Sequence, residues 1–192
     1  VERVKKLVKI DADERAKRLD SLKGTDILQE LNLLHTQGIE FIEPSDLASA
    51  IKGRHNLYTH LELMVRNAKK SVTLMTTSKG IMRKVEALKP ELEKLAKKGV
   101  KIKIAVPVTK ENSEDVKDIS RIAEVRDNKN INARFCVIDG KELLFMILDD
   151  EEVHPTYDVG VWVSTPFFAT ALDNMFQACW ENLTPADKTV AK

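Results

Sequence analysis

The stretch INARFCVIDG, residues 131–140, sets Asn132, Arg134 and Asp139 at positions i, i+2 and i+7. A His-x-Lys-x4-Asp pattern at that spacing would do phosphoryl transfer: the imidazole attacks phosphorus and the lysine holds the phosphoryl oxygens. Asn132 stands where the imidazole would be, and a carboxamide is neither a useful nucleophile nor a proton carrier near neutral pH. Losing a nucleophile costs on the order of 10⁴ to 10⁶ in rate. Arg134 keeps the lysine's charge and can grip a phosphate or carboxylate with two parallel hydrogen bonds. The three positions therefore read as a degenerate motif and a candidate anion site. The plainer alternative is that Asn132 and Arg134 lie on a polar strand face and meet a local carboxylate.

No other residue supplies the missing imidazole. His35, His55, His60 and His154 are scattered, and none has a lysine and an aspartate at the required spacing. His60 falls near the Leu57 and Leu61 face and reads as a partly buried helix residue. No Cys or His cluster has metal-ligand spacing, so no metal and no cofactor are expected. Cys136, in a strand-like run, and Cys179, on an apolar helix face, read as small buried hydrophobes rather than a disulfide. Aromatics are only 5% of the chain, yet Tyr157 and Trp162 flank Asp158 beside His154. These four form a candidate ligand pocket, with Trp162 equally suited to the core.

The elements that must position these residues are legible from periodicity. Ile81, Val85, Leu88, Leu92 and Leu95 recur at spacings of four, three, four and three, which predicts an amphipathic helix. Pro90 should kink it or start a fresh turn, and Gly99 should cap its C-terminus. The lysine-rich face of residues 84–103 reads as solvated. Residues 71–77 and 100–108 are strand-like and flank that helix, making a βαβ unit with parallel strands. Asp139-Gly140 between apolar runs predicts a hairpin, and KELLFMIL, apolar on both faces, suits a central strand. Leu57, Leu61, Met64, Val65 and Ala68 share one helical face before the first of these strands. Thr165-Pro166 opens a last helix.

The first forty residues differ. Leu19, Leu22, Leu28, Leu31 and Leu34 form an apolar helical stripe, either laid on the main core or serving as a dimer seam. With 43% hydrophobic residues and 31 basic against 30 acidic side chains, the chain can bury one good core or two small ones. The balanced charge argues against a chain-wide nucleic-acid or membrane surface, and no run approaches the length of a membrane helix. Together with unpaired cysteines, this favours a cytoplasmic setting. Val1 in place of an initiator methionine suggests a fragment of a longer protein.

Four segments taken in order, IKGRHNLYTHLELMVRNAKKSVTLMTT, LAKKGVKIKIAVPV, INARFCVIDGKELLF and DVGVWVSTPFFATALDNMFQACWENL, resemble the C-terminal region of archaeal TrmB-type transcription regulators. That region is phospholipase-D-like in fold. The resemblance implies an α/β domain over residues 40–192, a mixed sheet flanked by helices, preceded by a helical linker and dimerisation segment over 1–39. It also implies a homodimer, a small-molecule effector (a sugar in the best-known members), and contact with DNA only through an N-terminal winged helix absent from this sequence. No local motif aligns the family's ligand-contacting residues one by one.

The reading that follows is a non-catalytic, effector-sensing and dimerising region of such a regulator. Two rivals come from other classes: a dimeric phosphodiesterase with a modified motif, and a protein-interaction domain without a small ligand. A third, a helix-turn-helix in SDLASAIKGRHNLYTHLELM, would need its first helix to be only about one and a half turns long.

Overall fold

The computed structural model describes residues 43–190 and, nearer the N-terminus, residues 5, 12–17, 26 and 29. The chain divides into two units, Val1–Glu43 and Pro44–Lys192. In the first, residues 12–17 are helical and exposed. The leucine stripe at Leu19, Leu22, Leu28, Leu31 and Leu34 lies outside the described residues.

The second unit is built on one eight-stranded sheet. Its strands are β1 (Ala48–Lys52), β2 (Ser71–Met75), β3 (Lys101–Val106), β4 (Glu124–Asp127), β5 (Phe135–Ile138), β6 (Glu142–Met146), β7 (Val159–Ser164) and β8 (Thr184–Pro185). They are ordered β1-β7-β6-β5-β2-β3-β4-β8. Strands β2, β3 and β4 run parallel, and every other pairing is antiparallel. The mixed pattern follows from the connections: a helix crosses over between β2 and β3, whereas a tight turn joins β5 to β6.

Among the described residues of this unit the α-helices are α1 (Pro44–Leu47), α2 (Arg54–Asn67), α3 (Ser78–Lys97), α4 (Ser113–Ile119), α5 (Pro166–Trp180) and α6 (Ala186–Val190), with a 3-10 turn at Pro155–Tyr157. Strand alternation divides the core in two. Val72, Leu74, Ile102, Ile104, Cys136, Ile138 and Leu144 cluster with the apolar stripes of α2 and α3. Met75, Ala105, Phe135, Val137 and Leu143 cluster with Ala169, Phe176 and Trp180 of α5. Side chains two apart in β5 thus point to opposite sides from their intervening neighbour, and Cys136 belongs to the α2–α3 side.

Three expectations change. The helix-turn-helix is excluded, because Ala48–Lys52 is a strand paired along its length with β7. Helix α3 passes through Pro90 unbroken. The carbonyl that loses its donor there belongs to Glu86, an exposed residue whose oxygen water can satisfy. Lys84 is not on a solvated face: it is 2% exposed, since it lies three residues after Ile81 and four before Leu88, inside the apolar stripe. Gly99 does end the helix, with φ of 81°. Val100 donates to the Leu95 carbonyl and Gly99 to that of Ala96, the paired bonds of a Schellman cap.

Candidate functional site

The three motif positions separate into two structural roles. Asp139 and Gly140 form the β5–β6 turn, both with positive φ (56° and 65°), and Lys141 donates to the Ile138 carbonyl to close it. The Asp139 carboxylate accepts from the backbone N–H groups of Lys69, Lys70 and Ser71 at 2.9, 2.7 and 2.9 Å. Burial pushes its pKa up, but those N–H groups and Lys141 outweigh it and leave it below the ordinary carboxylate value. Asp139 thus fastens the start of β2 to the hairpin.

Asn132 and Arg134 stand at the other end of β5, near the N-terminus of α3. Asn132 Nδ2 donates to Asp149 Oδ2 at 3.1 Å, at an exposed position. Arg134 is 4% exposed. Its Nη1 donates to the Leu148 carbonyl at 2.6 Å and to Asp158 Oδ1 at 3.1 Å, while Nη2 donates to Asp158 Oδ2 at 2.8 Å. The fork that could grip a phosphate therefore grips a carboxylate of the same chain. Arg134 Nε is buried without a hydrogen bond, 3.8 Å from Asp150 Oδ1.

Residues from α2, α3 and the β6–β7 loop join this pair. Gly53, with φ of 91°, precedes α2 and donates to the Asp158 carbonyl at 2.7 Å. That bond sets Arg54, the first residue of α2, against the loop. Arg54 Nε donates to Asp158 Oδ2 at 3.0 Å, and Nη2 reaches the carbonyls of Asp150 and Val153 at 3.3 Å. Asp150 accepts from Thr77 Oγ1 at 2.8 Å and pairs closely with Arg83. Thr77 is the N-cap of α3, its oxygen accepting from Gly80 N–H at 2.9 Å. Lys84 Nζ donates to Thr76 Oγ1 at 2.9 Å.

Electrostatics follow from this packing. Burial raises the Asp158 carboxyl, yet the hydrogen bonds and charges of Arg134 and Arg54 prevail and hold it below its ordinary value. Burial likewise opposes ionisation of Asp150, and Thr77, Arg134, Arg83 and Lys84 overcome it. Lys84 is pushed down to about 7, first by burial and then by Arg134. Burial pushes the Cys136 thiol up to about 12, so it remains protonated and inert.

No described histidine bonds to Arg134. His60 packs edge-on against Trp162, ring centroids 5.6 Å apart; His55 is exposed on α2; His154 accepts from Thr156 N–H at 3.3 Å; and His35 lies outside the described residues. The four residues singled out as a ligand pocket are drawn apart. His154 and Tyr157 neighbour each other at 6.2 Å, with Tyr157 62% exposed. Asp158 is fully buried among the arginines, and Trp162 packs into the α2–α3 core. Among the described residues no group of His, Cys, Asp or Glu could hold a metal ion. Sequence reasoning missed Arg54, Arg83, Lys84, Thr77 and Asp150. Only Lys84 carried a signal, a charge on an apolar stripe.

The site is a closed ionic cluster at the end of β5. The sequence matches the family model described as transcriptional regulator TrmB, EBD N-terminal subdomain, over residues 47–184. The chain belongs to the TrmB family of transcriptional regulators. Among solved structures it is similar to TrmBL2, an archaeal chromatin protein, with 18% identity, TM-score 0.58, and coverage of 95% of this chain and 69% of that one. It is also similar to NucT from Helicobacter pylori (14% identity, TM-score 0.60, 72% of this chain and 98% of that one). A third match is Nuc, a phospholipase D family member from Salmonella typhimurium (15%, 0.58, 72% and 97%). At these identities the likeness establishes a phospholipase-D-like fold. No curated protein matches the sequence.

Proposed function

We propose that this chain is the non-catalytic, effector-sensing region of a TrmB-type transcription regulator. It would act as a cytoplasmic homodimer and reach DNA through a winged helix joined by way of residues 1–39. Membership of the TrmB family supports the regulatory part. One observation carries the non-catalytic part: the position a nucleophilic imidazole would occupy holds Asn132, tied to Asp149, while the neighbouring guanidinium of Arg134 is spent on Asp158. Asn132 cannot attack phosphorus, and in this arrangement Arg134 holds a carboxylate instead of a phosphoryl group. A ligand that binds one arrangement of the dimer better than another would shift the DNA-binding heads by that difference in affinity.

Two measurements test this. Incubated with bis(p-nitrophenyl) phosphate, the purified protein should release no nitrophenol above the buffer rate. Activity that disappears in Arg134→Ala would instead support the phosphodiesterase. The full-length regulator should bind its operator with an affinity that some small molecule changes; constant affinity across sugars and anions would leave only a protein-interaction role.

A further inference from the structure

The loop between β6 and β7, residues 147–158, is fastened in an unusual way. Ile147 and Leu148 are 58% and 41% exposed. Within the loop only Asp150 and Asp158 are buried, and both are carboxylates. No apolar side chain of the loop enters the core; its hold is ionic. Arg54 grips Asp158 and the carbonyls of Asp150 and Val153, Arg83 grips Asp150, and Arg134 grips Asp158 and the Leu148 carbonyl. Lys79 adds a surface contact to Glu151 at 3.6 Å.

The cations outnumber the carboxylates they hold. Three guanidinium groups, Arg54, Arg83 and Arg134, face the two carboxylates of Asp150 and Asp158, and Arg134 Nε is buried without a hydrogen bond, 3.8 Å from Asp150 Oδ1. A buried donor left unmade and an excess of positive charge both favour a group with more negative charge and more acceptor oxygens than two carboxylates supply. A phosphate dianion has that character: it accepts from several guanidinium forks at once. At the outer edge a groove of about 530 Å³ between α2 and α3 has Arg54, His55, Tyr58 and Arg83 in its lining, with the carboxylates Glu62 and Glu86 also lining it. Arg54 Nη1 and Arg83 Nη1 make no hydrogen bond to any described residue.

We infer that Arg54, Arg83 and Arg134 form an anion site which the 147–158 loop fills with its own carboxylates, and that a phosphate-bearing small molecule entering by the α2–α3 groove displaces them and frees the loop. The loop is then a self-bound latch. Its release would alter the edge of the sheet where β7 pairs with β1, the strand nearest in sequence to the linker. The binding event stands by itself; its use as the regulatory signal rests on the regulator reading above.

Inorganic phosphate is the probe, compared with chloride at matched ionic strength on the full 192-residue chain. Asp158→Asn should melt below the parent in chloride, and phosphate should restore part of that loss, saturating at a concentration about tenfold lower than in the parent. Arg83→Gln should lose the saturable effect; a linear rise shared by all variants is general salting and speaks against the site. If Asp158→Asn does not fold, hydrogen exchange on the parent decides: amides of 147–158 should exchange faster in saturating phosphate, and unchanged exchange overturns the latch. Phosphate binding that leaves the DNA affinity of the full-length regulator unaltered would sink the regulatory role and spare the site. Control of DNA binding by a neutral compound, with no phosphate binding, would do the reverse.

Discussion

At the scale of single residues, the motif positions make contacts that hold neighbouring elements together. Asp139 combines a left-handed backbone with a carboxylate that collects three N–H groups from residues 69–71. Asp139→Ala loses both the local tolerance of positive φ and the acceptor, so it should destabilise by about 2–3 kcal/mol in urea melts. Asp139→Asn keeps the tolerance and one oxygen and should lose less. Equal losses would mean that the carboxylate charge matters and the turn conformation does not. The sequence displayed Asn132, Arg134 and Asp139 because their spacing is local. The partners Arg54 and Asp158 are 104 residues apart, and nothing in the alternation of either segment announces that they meet. Asp158 follows the 3-10 turn Pro155–Tyr157 and is buried among arginines, whereas Tyr157 is exposed.

At the scale of elements, the well-read parts are those whose pattern is a burial pattern. The α3 stripe, the parallel β2–β3 pair and the Asp-Gly turn needed only periodicity and turn chemistry. β1 did not yield to the same reading, because an edge strand with burial running mostly exposed has no apolar alternation to display. Two element-level variants probe how helices are set on the sheet. A Cβ at Gly160 would fall 2.6 Å from Leu57 Cδ2 and 3.0 Å from the Phe145 carbonyl oxygen, where α2 lies directly on β7. Gly160→Ala should therefore cost about 1–3 kcal/mol by overpacking, read as a lower denaturation midpoint, and a neutral result would show that α2 can slide. Thr77 both caps α3 and holds Asp150. Thr77→Ala should lose about 1–2 kcal/mol, and Thr77→Ser, which keeps the hydroxyl, should recover most of it.

For the whole molecule, the ionic cluster predicts an uncommon dependence of stability on pH. Asp139, Asp150 and Asp158 all have depressed carboxyl pKa values. Their stabilisation is complete above the unfolded value of about 3.9 and is lost as pH falls through the folded values. Lys84 acts at the other end. Its folded pKa of about 7 lies well below the unfolded value of about 10.4, so between the two the unfolded chain binds the extra proton and stability rises with pH. The groups facing it are Arg83, Arg134, Asp150, Cys136 and the ring of Tyr58. Cys136, pushed up to about 12, keeps its proton throughout the window. Unfolding free energy from urea melts should therefore climb by about 2 kcal/mol from pH 6 to pH 9. Lys84→Met, which replaces a buried charge by an apolar chain of similar length, should be more stable than the parent at pH 6 and should flatten the climb. Parallel curves for the two proteins would mean that Lys84 is charged in the folded state across the whole range, and that the cluster holds one more positive charge near neutral pH than the depressed lysine allows.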